Sequence, residues 1–248
     1  MRLENTFIGA RGVGETTERD LWERGVTHWD DVEDGVLGGK RGERLRAFVE
    51  QARPRLAEND ADFFAGALPS GSQWRLAENF RSSTCFFDIE TTGLNEHSAV
   101  VTTVSCHRDG ETTTYVRGRD LTPGALREEL AAADLLVSFN GKRFDVPFLE
   151  HHYDLDVTTP HLDLMYPCRR VDLSGGLKAI ERDLGIARES DVDGREAVRL
   201  WHRYEAGDEA ALERLVRYNR LDAENLATLL DHVGERLHRE VFAPYAEG

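Results

Sequence analysis

Residues 86–93 read Phe-Phe-Asp-Ile-Glu-Thr-Thr-Gly. An apolar run, Cys85-Phe86-Phe87, leads straight into two acids spaced by one residue, as expected for a strand buried on both faces that ends in carboxylates. Side chains alternate along a strand, so Asp88 and Glu90 leave from one face. Two anions that close repel each other in a dry site unless a cation lies between them, and hard oxygen donors suit Mg²⁺ or Mn²⁺. A solvent-facing strand end is the plainer reading of Asp-x-Glu taken alone.

Two later segments bear on the choice. Residues 139–149, FNGKRFDVPFL, predict a strand over 135–139, a turn at Asn140-Gly141, and an amphipathic helix opened by Phe144-Asp145. Asp145, two residues before Pro147, also has the position of a helix N-cap. Residues 217–226, RYNRLDAENL, lie on a helix whose stripe runs Leu215, Tyr218, Asp222, Leu226, Leu229 and Val233. An aspartate therefore stands at a core position, where an unpaired carboxylate costs several kcal/mol. It must be ion-paired, neutralised or bound to metal.

The order and spacing of these acids resemble the DEDD exonucleases of the ribonuclease H-like superfamily. Asp88 and Glu90 match motif one, Asp145 motif two and Asp222 motif three. Tyr218, four residues before the last aspartate, is similar to the DEDDy subtype; the histidine subtype would place His where Arg217 stands. Residues 85–230 more closely resemble the YprB-like ribonuclease H-like proteins. That likeness includes Asn140-Gly141-Lys142, His161-Leu162-Asp163-Leu164, Glu196-Ala197-Val198 and Leu200-Trp201.

The resemblance implies an α/β fold, a ribonuclease H-like mixed sheet flanked by helices. It implies 3′ to 5′ hydrolysis of DNA or RNA phosphodiesters with two Mg²⁺ or Mn²⁺ ions, one helping to generate hydroxide and one stabilising the leaving oxygen. Asp88, Glu90, Asp145 and Asp222 would be the metal ligands, Tyr218 would orient the attacking water, and Asn140 and Lys142 would meet the nucleic acid, single-stranded ends above all. A non-hydrolytic nucleic-acid-binding platform and a structure-selective endonuclease built on the same residues remain alternatives. Asp163 is expected at the surface or behind the site.

Around this core the chain predicts a β-hairpin from 100–106 and 112–116 with its turn at Asp109-Gly110, a helix over 125–132, a short strand over 161–164, and helix from Leu177 onward. The first part differs. Gly12-Val13-Gly14 precedes a helix over 15–24, resembling one helix-hairpin-helix element, and Gly12 and Gly14 would offer backbone amides to a nucleic-acid phosphate. A plain helical turn packed on its surroundings is the competing reading. Residues 40–55 carry Lys40, Arg41, Arg44, Arg46, Arg53 and Arg55 on an expected helix, and residues 66–72 look like a connection. We therefore expect an all-α accessory region over 1–75 and the catalytic domain over 76–248.

Composition narrows the class. Formal net charge is −15 and lysine occurs only at Lys40, Lys142 and Lys178, so 28 of the 31 basic residues are arginine. Such an acidic, lysine-poor chain resembles proteins of salt-accumulating halophiles, where nucleic-acid binding rests on metal bridges, amides and stacking more than on counterion release. Genome-driven arginine use in an acidic mesophile gives the same balance. Cys85, Cys106 and Cys168 show no paired spacing, which argues against a disulfide framework or structural zinc. No signal or membrane segment is evident, and a cytoplasmic enzyme with no membrane partner is expected.

Overall fold

The computed structural model describes residues 1–187 and 192–246, and the chain packs as two units. One comprises Met1–Arg81 with the C-terminal stretch from His232; the other is Ser82–Asp231.

The second unit is built on a five-stranded mixed sheet in the order β3-β2-β1-β4-β5. Its strands are β1 (Thr84–Thr91), β2 (Val101–Arg108), β3 (Glu111–Val116), β4 (Leu135–Ser138) and β5 (His161–Asp163). β1 is central: it pairs antiparallel with β2 and parallel with β4, and β4 pairs parallel with β5. The expected hairpin is present, with Asp109 at φ 54° and Gly110 at φ 80°, the double positive-φ turn that matches strand twist. Cys85, Phe87 and Ile89 of β1, Leu136 of β4 and Phe148 are packed into one buried cluster, which makes β1 the spine of the core.

Eleven α-helices are described: α1 (Glu15–Glu23), α2 (Gly39–Ala57), α3 (Ala61–Ala67), α4 (Leu76–Asn79), α5 (Pro123–Ala131), α6 (Asp145–Tyr153), α7 (Met165–Arg170), α8 (Leu177–Leu184), α9 (Gly194–Glu205), α10 (Glu209–Val241) and α11 (Ala243–Ala246). The helical reading from Leu177 onward holds for the described residues; 188–191 lie outside them. Leu215, Tyr218, Asp222, Leu226, Leu229 and Val233 are all buried, so the sequence stripe is the packed face of α10. Among the described residues no helix is long and apolar enough to cross a membrane, and all three cysteines are free and buried.

The first unit is helical. Glu18 of α1 is buried and accepts N–H bonds from Phe7 and Ile8 while its two oxygens meet Arg75 Nη1 at 2.8 and 2.9 Å. Burial pushes its carboxyl upward against the opposing pull of Arg75. Trp22 packs edge-on against Phe242 at 5.2 Å, which is how the C-terminal stretch belongs to this unit. The division thus differs from the one expected at residue 75. Residues 66–72, read as a connection, lie inside the first unit because Trp74 and Arg75 just beyond them are buried in its core.

Candidate metal centre

Asp88 and Glu90 leave the same face of β1, as alternation requires, and Asp222 approaches from α10. One carboxylate oxygen from each lies within 4.8 Å of the others. Glu90 is 8% exposed and Asp222 4%, with Asp88 half-buried, so little water screens the three charges. The Asp88 carboxyl is accordingly held well above the usual carboxylate range, first by burial and then by the charges of Asp222, Asp145 and Glu90. A cluster of hard oxygen donors whose charges oppose one another fits a divalent cation of the Mg²⁺ class. These residues could hold one.

Asp145 stands slightly apart. It begins α6, but the N-cap position belongs to Phe144, with no side-chain capping bond. Asp145 instead turns its carboxylate onto two backbone amides, its own and that of Ile89 between the two β1 acids. Burial pushes its pKa up to about 7, the two amides oppose this, and Asp163 adds to it. It lies outside the group of three oxygens, yet its charge reaches Asp88.

The turn that delivers Asp145 is clamped from below. Asp163, at the end of β5 and 2% exposed, accepts N–H bonds from Asn140 (2.7 Å), Lys142 (3.2 Å) and Met165 (3.1 Å). It therefore sits behind the site as an anchor for that loop. Asn140 takes φ 63°, a conformation Asn tolerates well. Gly141 is required by closeness: a Cβ there would fall 2.2 Å from Ser138 Oγ. Ser138 in turn shares a 2.7 Å hydrogen bond with His161, whose pKa is driven down to about 3 by burial and by Lys142. Asn140 and Lys142, expected as nucleic-acid contacts, thus commit their backbone amides to the protein.

Tyr218 is one helical turn before Asp222 on α10 and is 4% exposed. Burial raises its pKa first, followed by the charges of Asp222, Glu90 and Asp88 and a hydrogen bond to Asp222, so the phenol stays protonated at neutral pH.

Asn219 was not singled out by the sequence reading, yet it is fully buried and donates from Nδ2 to Asp88 Oδ2 (2.7 Å) and the Asp88 carbonyl (3.2 Å). Its Oδ1 accepts from Ser105 Oγ (2.9 Å), and Ser105 shares a 2.8 Å bond with Thr114. Asp88, Ser105 and Thr114 are partners in one register row across β1, β2 and β3. The signal available beforehand was an amide on the same helix, three residues before the buried aspartate.

Beside Glu90 opens a cavity of about 750 Å³, walled by Ile89, Leu94, Phe144 and Val198 with Arg195 and Arg199 of α9 at its edge. Leu94 is 87% exposed.

In the other unit, Gly12 adopts φ 92° and Gly14 is the N-cap of α1. Gly14 itself has ordinary extended backbone with open space around it, so the positive-φ requirement falls on Gly12. Of the basic strip on α2, Arg46, Arg53 and Arg55 pair with Asp34, Asp30 and Asp60.

A family model described as RNase_H superfamily, RNase_H_2, matches residues 85–234. No curated protein matches the chain. Among solved structures, NrnC of Brucella melitensis with bound Mg²⁺ is 22% identical over 69% of this chain and 81% of that one, with a TM-score of 0.48. The same protein bound to pGG gives 21% identity over 68% and 82%, with a TM-score of 0.43. The family B DNA polymerase of Pyrobaculum calidifontis is 17% identical over 61% of this chain, with a TM-score of 0.46, and this chain spans only 26% of its length.

Proposed function

The chain belongs to the RNase H superfamily, and from that premise we propose that it is a metal-dependent nuclease that removes nucleotides from the 3′ end of DNA or RNA with two Mg²⁺ or Mn²⁺ ions. The observation that carries this reading is the trio of carboxylate oxygens from Asp88, Glu90 and Asp222 within 4.8 Å of one another in a buried site. Clustered acids that raise one another's proton affinity are costly to keep without a cation.

Asp88, Glu90 and Asp222 would hold the metal, with Asp145 supporting it. Bound there, divalent ions would make a water more acidic and stabilise the leaving oxygen of the phosphodiester. The chain's own groups supply the rest. Asn219 fixes the rotamer of Asp88 by its 2.7 Å bond. Tyr218 orients the attacking water by hydrogen bonding and, because its pKa is raised, does not take the proton. Asp163 sets the loop that brings Asp145 to β1. The cavity beside Glu90 accepts a single-stranded end, its apolar walls meeting the base and its arginines the backbone. In the first unit, the Gly12–Gly14 turn and the nearby Arg41 and Arg44 side chains would add affinity for the phosphate backbone.

The test is a set of end-labelled single-stranded, duplex and circular DNA and RNA substrates in Mg²⁺ or Mn²⁺, in high KCl. The expected result is stepwise release of mononucleotides from 3′ ends, with circles intact and no cleavage by Asp88→Asn. Cut circles would make it an endonuclease, and equal behaviour of parent and Asp88→Asn would remove the metal site from the reaction.

A further inference from the structure

Tyr218 carries a cation on one face of its ring. Lys178, on α8, puts Nζ 4.6 Å from the ring centroid and donates a hydrogen bond to the carbonyl of Val192, two residues ahead of α9. The chain uses lysine only three times, and this one lies against the tyrosine assigned to the attacking water. Its ammonium is tethered on one side by a carbonyl, so it cannot wander, and it faces π-density on the other. An ammonium over an aromatic face is attracted by the ring quadrupole, and the attraction grows where water is partly excluded. Lys178 is half-buried and Tyr218 buried, the circumstance in which such a contact counts most. A leucine or methionine would fill the same space against a phenol, so packing alone does not call for a charge there.

We propose that Lys178 is a positioning residue for phosphodiester hydrolysis, acting through Tyr218; the inference rests on the hydrolytic reading above. Two effects follow from the contact. The tethered cation restricts how the phenol ring can tilt, which fixes where its hydroxyl lies relative to Asp222 and Glu90. The positive charge also draws electron density from the ring, which strengthens the hydroxyl's hydrogen bond to Asp222 and so holds in place the oxygen that meets the attacking water. Geometry held this closely is what separates a productive site from one slightly too loose. The same tether reaches the chain just before Gly194 and Arg195, which line the cavity beside Glu90.

The experiment is a double-mutant cycle read as kcat and KM on a labelled single-stranded oligonucleotide in saturating Mn²⁺, using the full chain. Lys178→Met should lower kcat by about 10-fold with KM changed less than about 2-fold. Lys178→Gln keeps a donor for the Val192 carbonyl without the charge and should behave like Lys178→Met, whereas Lys178→Arg should recover most of the rate. In a Tyr218→Phe background, Lys178→Met should cost less than about 2-fold more, because the hydroxyl it serves is gone. The Mn²⁺-induced rise in melting temperature should be the same in all variants. Full multiplicative losses in the Tyr218→Phe background, or full recovery by Lys178→Gln, would overturn the proposal while leaving the nuclease reading in place. A parent that hydrolyses none of the substrates would overturn both. If Lys178→Met does not fold, Lys178→Gln and Lys178→Arg decide the matter alone.

Discussion

Replacing Asp88 by Asn should make the metal-free protein more stable, and increasingly so as pH rises. Oxygens of Asp88, Glu90 and Asp222 lie within 4.8 Å of one another. At an effective dielectric constant of about 20, two unit charges at that distance repel by about 3.5 kcal/mol, so three ionised pairs approach about 10 kcal/mol. That equals the whole net stability of an ordinary domain, about 5–15 kcal/mol. The metal-free site therefore keeps a proton, consistent with the raised pKa of Asp88. A carboxyl whose folded pKa lies above its unfolded value contributes most below the unfolded value, near pH 4, and loses that contribution as pH climbs through the folded one. Asp145, raised to about 7, adds the same trend. Each pH unit at which the folded site retains an extra proton costs about 1.4 kcal/mol. Asparagine keeps the size and the acceptor for Asn219 but needs no proton, so its advantage over the parent should widen by about 1–3 kcal/mol between pH 6 and 8. At about 2–4 °C per kcal/mol, that is a difference of about 2–12 °C in melting temperature. Mn²⁺ at a hundred times its dissociation constant should stabilise the parent by about 2.7 kcal/mol and the variant far less. Thermal melts in EDTA and in Mn²⁺ across this range decide it. An advantage that does not grow with pH, together with an equal Mn²⁺ shift in both proteins, would refute the charge-cluster reasoning.

Tyr218→Phe should lower turnover by about 10- to 1,000-fold with little change in the Mn²⁺-dependent melting shift, and loss of that shift would make the tyrosine structural. Asn219→Leu removes the donor to Asp88 and the acceptor for Ser105, which keeps only Thr114, so it should cost about 1–3 kcal/mol and weaken Mn²⁺ binding, as denaturant melts with and without the ion would read. His161, held near pKa 3 in the fold against about 6.5 when unfolded, should destabilise the protein as pH falls from about 6.5 towards 3; His161→Gln should flatten that acid limb in pH-dependent melts. Gly12→Val forces a β-branched residue to φ 92° and should cost about 1–2 kcal/mol while weakening oligonucleotide binding by anisotropy; unchanged affinity in a folded variant would leave that turn with packing alone.

What could be read in the sequence was whatever a local period encodes. Asp88 and Glu90 follow from strand alternation, Tyr218 and Asp222 from the helical stripe, and the Asp109-Gly110 hairpin from its turn residues. What escaped depends on register and long-range pairing. Ser105 matters because it stands opposite Asp88, and Asn219 because it reaches across to both, which no local window contains. Asp145 was ambiguous for a related reason: a cap and an anchor to the Ile89 amide look identical until β1 is placed beside it. The catalytic domain expected over 76–248 takes in the whole of α10, whereas residues from His232 group with the first unit; the stripe continues past Asp231, so no local signal marks that point.

The Asn219 to Asp88 bond spans 131 residues of chain. Contacts of that separation form only after the intervening strands and helices have been brought together, since closing so long a loop is unfavourable until other interactions reward it. The centre therefore cannot exist on a nascent chain that has made β1 but not α10. Metal affinity should appear late in refolding, after the sheet, which gives stopped-flow experiments a probe for the final step. It also means that an incompletely folded copy, or one truncated before residue 219, lacks the bond that fixes the Asp88 carboxylate.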